Sequence, residues 1–278
     1  MLSYQAKSFA KINLGLKVLN QRADKFHNIN SIFLRVSLCD SLKLIPSKQF
    51  HFQCNNRLVP NNEKNTIYKA YKLFKKKTSF NNEYTIILDK QIPMGSGMGG
   101  GSSNAAYTLR ALNYLSNSTL NLREMMDLGL EIGSDVPFFL NNNKINLVMG
   151  RGEILNDYNA PLLNSIFIVL VLPEFSVSTS WAYKKIKNTL DYNKDCPKFP
   201  ALDGDVDWKL FGNDFEKIVG STYPEIFEIK ELLEKEGALY SSLSGTGSTM
   251  FGVYNNFQLA KQAIGKLTNY NTLIVTPT

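Results

Sequence analysis

The amino-acid sequence predicts an α+β protein in two parts, on three observations. Residues 4–53 alternate apolar and polar side chains as half-buried strands do. Capped amphipathic helices occupy much of residues 65–140. A second set of strands and helices, opened by the apolar run Ile166 to Leu172, follows residue 158. Antiparallel strands with helices on one face suit that order. A chain of 278 residues is long enough for two intimately packed domains, placed here at 1–158 and 159–278.

Taken in order, Ile12, Leu14, Leu16 and Val18 alternate with Asn13, Gly15 and Lys17, which puts Lys11 and Asn13 on one face of a strand. Ile32 to Leu38 and then Leu42, Leu44 and Ile45 continue as strand. Between them a polar loop ends in Phe26 and His27, the latter one of only two histidines. A ring face beside an imidazole can stack a base and bond its edge, worth about 1–3 kcal/mol per base. A turn with Phe26 plugged into the core explains the same residues, and local sequence leaves both readings open.

Asn65 caps a helix carrying Ile67, Ala70, Tyr71 and Phe74 at helical spacing, and Tyr84 to Leu88 reads as a strand. Asn121 and Glu124 form a capping-box pattern. Asp135, ahead of Pro137 and an apolar run, starts a short helix, either as its N-cap or as a base kept ionised by the helix dipole and a cationic neighbour. A polar interval runs from Asn141 to Leu163. Helices are expected at Trp181 to Leu190, Trp208 to Val219 and Pro224 to Glu236, the last stopped by Gly237. A small-residue loop around Gly245, Thr246 and Gly247, a helix at Phe257 to Leu267 and a strand at Thr272 to Val275 close the chain.

The strongest chemical signal is Pro93-Met94-Gly95-Ser96-Gly97-Met98-Gly99-Gly100-Gly101-Ser102-Ser103. Each glycine in regular structure costs roughly 0.5–1 kcal/mol relative to alanine, so five in seven positions need a reason. Phosphate supplies one. Glycines let successive amides converge, and Ser102 and Ser103 stand as N-cap candidates for the helix marked by Ala105, Leu109 and Leu112. Gly95, Gly97 and Gly100 fit the dinucleotide spacing, but Pro93 separates them from the preceding strand and no parallel strand follows promptly. A GxxxxGK[ST] loop fails too, because the run contains no lysine.

A formal net charge of +7 and a pI near 9.1 favour anionic partners, either nucleic acid or a phosphorylated metabolite. The dense run Lys75-Lys76-Lys77 falls at a helix end, where cations complement the dipole, and no clustered basic and aromatic surface points to nucleic acid. Cys39, Cys54 and Cys196 are widely spaced and odd in number, which suits reduced thiols in a cytoplasmic protein and no metal cluster. The longest apolar run is far shorter than the roughly 20 residues that span a bilayer, so no membrane partner is expected.

These pieces resemble the GHMP small-molecule kinase superfamily. AKINLGL at Ala10 to Leu16, PMGSGMGGGSSNAA at Pro93 to Ala106 and SLSGTGST at Ser242 to Thr249 occur in family order and span nearly the whole chain. RADKFH at Arg22 to His27, IGSDVPFFL at Ile132 to Leu140, GRGEIL at Gly150 to Leu155 and NDFE at Asn213 to Glu216 resemble the branch that phosphorylates a cytidine diphosphate conjugate of methylerythritol in the non-mevalonate isoprenoid precursor pathway. The resemblance implies an N-terminal lobe like the second domain of ribosomal protein S5 and a C-terminal ferredoxin-like lobe. It implies ATP and Mg²⁺, a small-molecule acceptor, and a monomer or homodimer.

Position by position, Lys11 and Asp135 match the family's catalytic pair. Pro93 to Ser103 match its nucleotide loop, and Asn65 a position near the adenosine. Phe26 and His27 match the cytosine-binding pair, with Tyr183 the choice for a second ring, while Asn13 and Gly245, Thr246 and Gly247 match acceptor-side contacts. Lys25 stands where the family usually has glycine, Phe26 where it has tyrosine and Met98 where it has leucine. A stacking ring survives the second change, and the third conserves volume. The alternatives are a superfamily kinase acting on homoserine or a mevalonate derivative, and an RNA-binding protein with an S5-like lobe.

Overall fold

The structure, a computed structural model, describes residues 2–186 and 198–278. The expected helix end at Leu190 and the third cysteine, Cys196, lie outside the described residues. The chain forms two compact units, and neither is a single stretch of sequence. The first takes residues 1–10, 38–94 and 99–142, the second residues 11–37, 95–98 and 143–278. Residue 158 lies within the second unit, as does Lys11.

Two long strands, β1 (Tyr4–Gln21) and β2 (His27–Ser47), contribute residues to both units. In the first unit β2 pairs antiparallel with β4 (Glu83–Asp89), setting Leu42 opposite Leu88 and Leu44 opposite Ile86, and the short β3 (His51–Cys54) pairs parallel with β4. Helix α1 (Thr66–Thr78) packs on α2 (Gly100–Leu115), and α4 (Val136–Leu140) packs on α2 and on α3 (Leu122–Ile132). Ile67, Ala70, Phe74, Ala105, Leu109 and Leu112 are fully buried, as their spacing predicts. Asn65 and the Asn121–Glu124 capping box start α1 and α3 as expected. The basic run closes α1, where Lys75 pairs with Glu83.

The second unit holds two strands that were not anticipated. β5 (Ile145–Gly150) and β6 (Ile154–Asp157) occupy the interval expected to be polar, and β5 pairs antiparallel with the first part of β2. The alternation in Ile145-Asn146-Leu147 is short and follows three asparagines and a lysine, so it is outweighed in any window-based reading. The remaining sheet runs β10 (Asn271–Val275), β7 (Phe167–Leu172), β9 (Met250–Tyr254), β8 (Tyr240–Leu243), all antiparallel. Helices α5 (Thr179–Ile186), α6 (Glu216–Gly220), α7 (Glu225–Lys235) and α8 (Phe257–Lys266) accompany it, and their apolar faces join β7, β8 and β9 in one core.

The helix expected over Trp208 to Val219 is broken. Only a 3-10 turn at Trp208–Leu210 and α6 form, because the residues between them bond elsewhere. Leu16 donates to the Gly212 carbonyl and accepts from Asp214 N, while Asn213 Nδ2 donates to the Leu243 and Gly245 carbonyls at 2.7 and 2.8 Å. Tertiary partners outbid local propensity there.

Candidate active site

In the first unit Gly99, within the glycine run, delivers the chain to the start of α2. The N-cap is Gly99 with φ 67°, not either serine, and no side chain caps this end. Ser102 and Ser103 lie inside the first turn, and Ser103 N is the first amide to find an intrahelical acceptor, at Gly99 O. The amides of Gly100, Gly101 and Ser102 therefore emerge at the positive end of a sixteen-residue helix. That arrangement receives an anion without rearrangement. Thr66 Oγ1 donates to Gly101 O at 2.7 Å, which ties the first turn of α1, capped by Asn65, to the same place.

Gly133 faces this turn: a Cβ built on it would lie 3.7 Å from Ser102 Oγ. Asp135, two residues on, has φ −85° and ψ −10° and makes no side-chain bond to the helix it precedes. Of its two sequence readings, simple N-capping is the one the geometry removes. Pro93 and Met94 lead into the run, and Met94 is exposed.

In the second unit Lys11 is buried, 4% exposed, on the strand face it shares with Asn13. Its Nζ donates to Asn13 Oδ1 at 2.7 Å and to Gly97 O at 3.0 Å, and lies 4.7 Å from the centroid of the Phe33 ring. Asn13 in turn donates to Ser31 Oγ, fixing which way its amide faces. Burying an ammonium is costly without such partners. The loop around Gly245 closes on the same residues. Ser244 Oγ donates to Gly97 O, Thr249 N donates to Ser96 O, and a Cβ at Gly245 would come within 3.3 Å of Asn13 Oδ1. Met98 is fully buried, and its carbonyl accepts from Lys11 N.

The polar loop also belongs to the second unit. Phe26 is 48% exposed, so it does not plug the core, and the Arg151 guanidinium lies 4.8 Å from its ring centroid. His27 is buried with its ring 5.4 Å from that of Tyr183, which packs edge-on against Phe215. Arg22 spans the loop, donating to Asn28 Oδ1 and Glu153 Oε1. Lys25 takes φ 68°, a conformation that favours glycine, so the lysine keeps a backbone turn a glycine would make easily.

The motifs GRGEIL and NDFE supply residues with structural work in the second unit. Arg151 covers a face of Phe26, Glu153 anchors Arg22, and Asn213 holds the Gly245 loop by two carbonyls. Only the motifs themselves signalled this.

Comparison with known proteins decides the family. Residues 65–143 match the GHMP kinases N terminal domain and residues 206–272 the GHMP kinases C terminal domain. The 4-diphosphocytidyl-2-C-methyl-D-erythritol kinase of Thermodesulfovibrio yellowstonii is 40% identical over 93% of this chain and 92% of its own length. The chain belongs to the GHMP kinase family. It is a small-molecule kinase with the two-part α+β fold of that family. A second GHMP kinase relative, the enzyme of the same description from Prosthecochloris aestuarii, is 34% identical over 96% of this chain and 94% of its own. The crystal structure of a 4-(cytidine 5'-diphospho)-2C-methyl-D-erythritol kinase superposes with TM-score 0.80 at 28% identity, covering 98% of both chains. No helix among the described residues is long and apolar enough to cross a membrane, and no group of three or more His, Cys, Asp or Glu among them could hold a metal ion.

Proposed function

We propose that the chain transfers the terminal phosphoryl group of ATP to the C2 hydroxyl of 4-diphosphocytidyl-2-C-methyl-D-erythritol. The observation that carries this acceptor, over homoserine or a mevalonate derivative, is the exposed Phe26 ring next to a buried His27 whose ring lies against that of Tyr183. Such a pair suits a pyrimidine, with one flat face to stack and one imidazole to bond its edge. A small aliphatic acid has no use for it.

In this reading the amides at the start of α2, with Pro93 to Ser103 around them, hold the ATP phosphates, and Asn65 lies near the adenosine. Asp135 accepts the proton of the acceptor hydroxyl as its oxygen attacks the terminal phosphorus and ADP leaves. Lys11, held by Asn13 and the Gly97 carbonyl, is the cationic member of the catalytic pair and offsets charge on the transferred group. Asn13 and Gly245 to Gly247 position the acceptor. Mg²⁺, when bound with ATP, would neutralise phosphate charge. Ser102 Oγ, in the first turn of α2, would suit that hard ion as an oxygen donor, with ATP phosphates and water completing its shell. Phosphoryl transfer asks mainly for such positioning and charge neutralisation.

A coupled kinase assay across the cytidylylated acceptor, homoserine, mevalonate and its phosphates tests the substrate. Turnover on the first alone supports the reading, and preference for another overturns it. Asp135→Asn should slow turnover by roughly 10²–10⁴-fold with ATP binding retained. Near-normal turnover would remove Asp135 from the mechanism.

A further inference from the structure

Beneath the start of α2 lies a buried carboxylate that no motif singled out. Asp40, on β2, has no exposed surface, and four donors converge on it. Oδ1 accepts Gln91 N at 2.7 Å and Ile92 N at 2.8 Å, the amides of the segment leading into the run. Oδ2 accepts Lys90 Nζ at 2.6 Å and Asn104 Nδ2 at 2.8 Å, the latter from the second turn of α2. Asn104 also donates to Ser8 Oγ, which bonds Ser103 Oγ at 2.8 Å. A Cβ on Gly100 would lie 2.9 Å from Lys90 Nζ, so the ammonium sits directly under the first residue of the helix. All of these residues belong to the first unit.

The glycines offer no side chains to anchor, and within the first unit both flanks of the run are fastened to one group. We propose that Asp40 is the positioning residue of the phosphate loop: by gripping Gln91 and Ile92 on one side and Asn104 on the other, it sets the direction of the α2 amides. A burial penalty of this size is repaid only where the geometry is fully satisfied, as it is here. The proposal rests on the reading of the glycine run as the ATP phosphate site.

Asp40→Asn tests it with a sign. The variant keeps an oxygen for the two backbone amides but turns an NH₂ toward Lys90 and Asn104, both of them donors. By charge alone, removing a carboxylate near an anion site would tighten ATP binding. Misdirected amides instead raise KM for ATP by about tenfold or more, with KM for the alcohol acceptor within about twofold. Unchanged or tighter ATP binding overturns the proposal, whatever happens to stability. Should Asp40→Asn fail to fold, Asn104→Ala decides: it cuts the link to the helix without changing charge, and an unaltered KM for ATP overturns the idea equally. Ser102→Asp, which puts an anion where phosphate would lie, separates this from the underlying reading. If ATP binding survives Ser102→Asp, the phosphate-site reading fails; if only Asp40→Asn and Asn104→Ala are silent, Asp40 is not the positioning residue.

Discussion

The glycine run and the polar loop before β2 both pass through the left-handed region, but only one of them keeps glycine there. Gly97 has φ 77° and Lys25 has φ 68°. The difference is space. A Cβ at Gly97 would collide with the Ser244 carbonyl oxygen and come within 3.1 Å of Gly247 N, both backbone atoms. Lys25 is exposed, and its side chain points to room. A left-handed non-glycine residue costs about 1–2 kcal/mol, which a fold can absorb. Overlap with a neighbouring main chain cannot be absorbed without moving that chain. Stretches that act through their backbone are thus held to glycine more tightly than stretches that present a ring face.

The largest effect should therefore come at Gly97. Gly97→Ala adds the left-handed penalty to a backbone collision, and should cost about 3 kcal/mol or more in denaturant unfolding while abolishing turnover. The Lys11 bond to Gly97 O would be displaced with it. A variant as stable and active as the parent would break the comparison, since it would mean that the loops around Gly97 and Ser244 are not in fixed contact.

The polar loop should lose affinity rather than stability. Phe26→Ala removes a half-exposed ring and should raise KM for the cytidylylated acceptor about five- to hundredfold, with KM for ATP unchanged. Phe26→Tyr, which keeps the face and adds a hydroxyl, should stay within about threefold. Equal losses in both variants would show that a retained ring face does not suffice, and stacking would no longer explain the residue.

Much of this was legible because period and capping are local. Asn65, the Asn121–Glu124 box and the Lys11–Asn13 face could be read within a few residues. What escaped depends on distant partners. Asp40 reads as one polar residue in a strand, and nothing near it in sequence announces Asn104 or Ile92. Asn213 breaks an otherwise helical stretch for the sake of the Leu243 and Gly245 carbonyls. The serines of the run looked like caps because hydroxyls usually cap, but Gly99 bends the chain into α2 and frees Ser103 to bond Ser8.

The smallest effect sharpens the comparison most. If Lys25 holds its left-handed turn against an intrinsic preference, Lys25→Gly should relieve about 1–2 kcal/mol of strain. Glycine also gains freedom in the unfolded chain, which takes back roughly 0.5–1 kcal/mol. The net gain is then about 0.5–1 kcal/mol, a rise of about 1–4 °C in melting temperature by calorimetry. The bonds that define the turn, Lys25 N to Arg22 O and Gln21 Nε2 to Lys25 O, involve only the backbone of residue 25 and survive the change. Kinetic constants for both substrates should stay within about twofold of the parent. A fall in melting temperature would mean that the lysine side chain contributes more than its backbone costs, and exposure would no longer explain why this loop does without glycine.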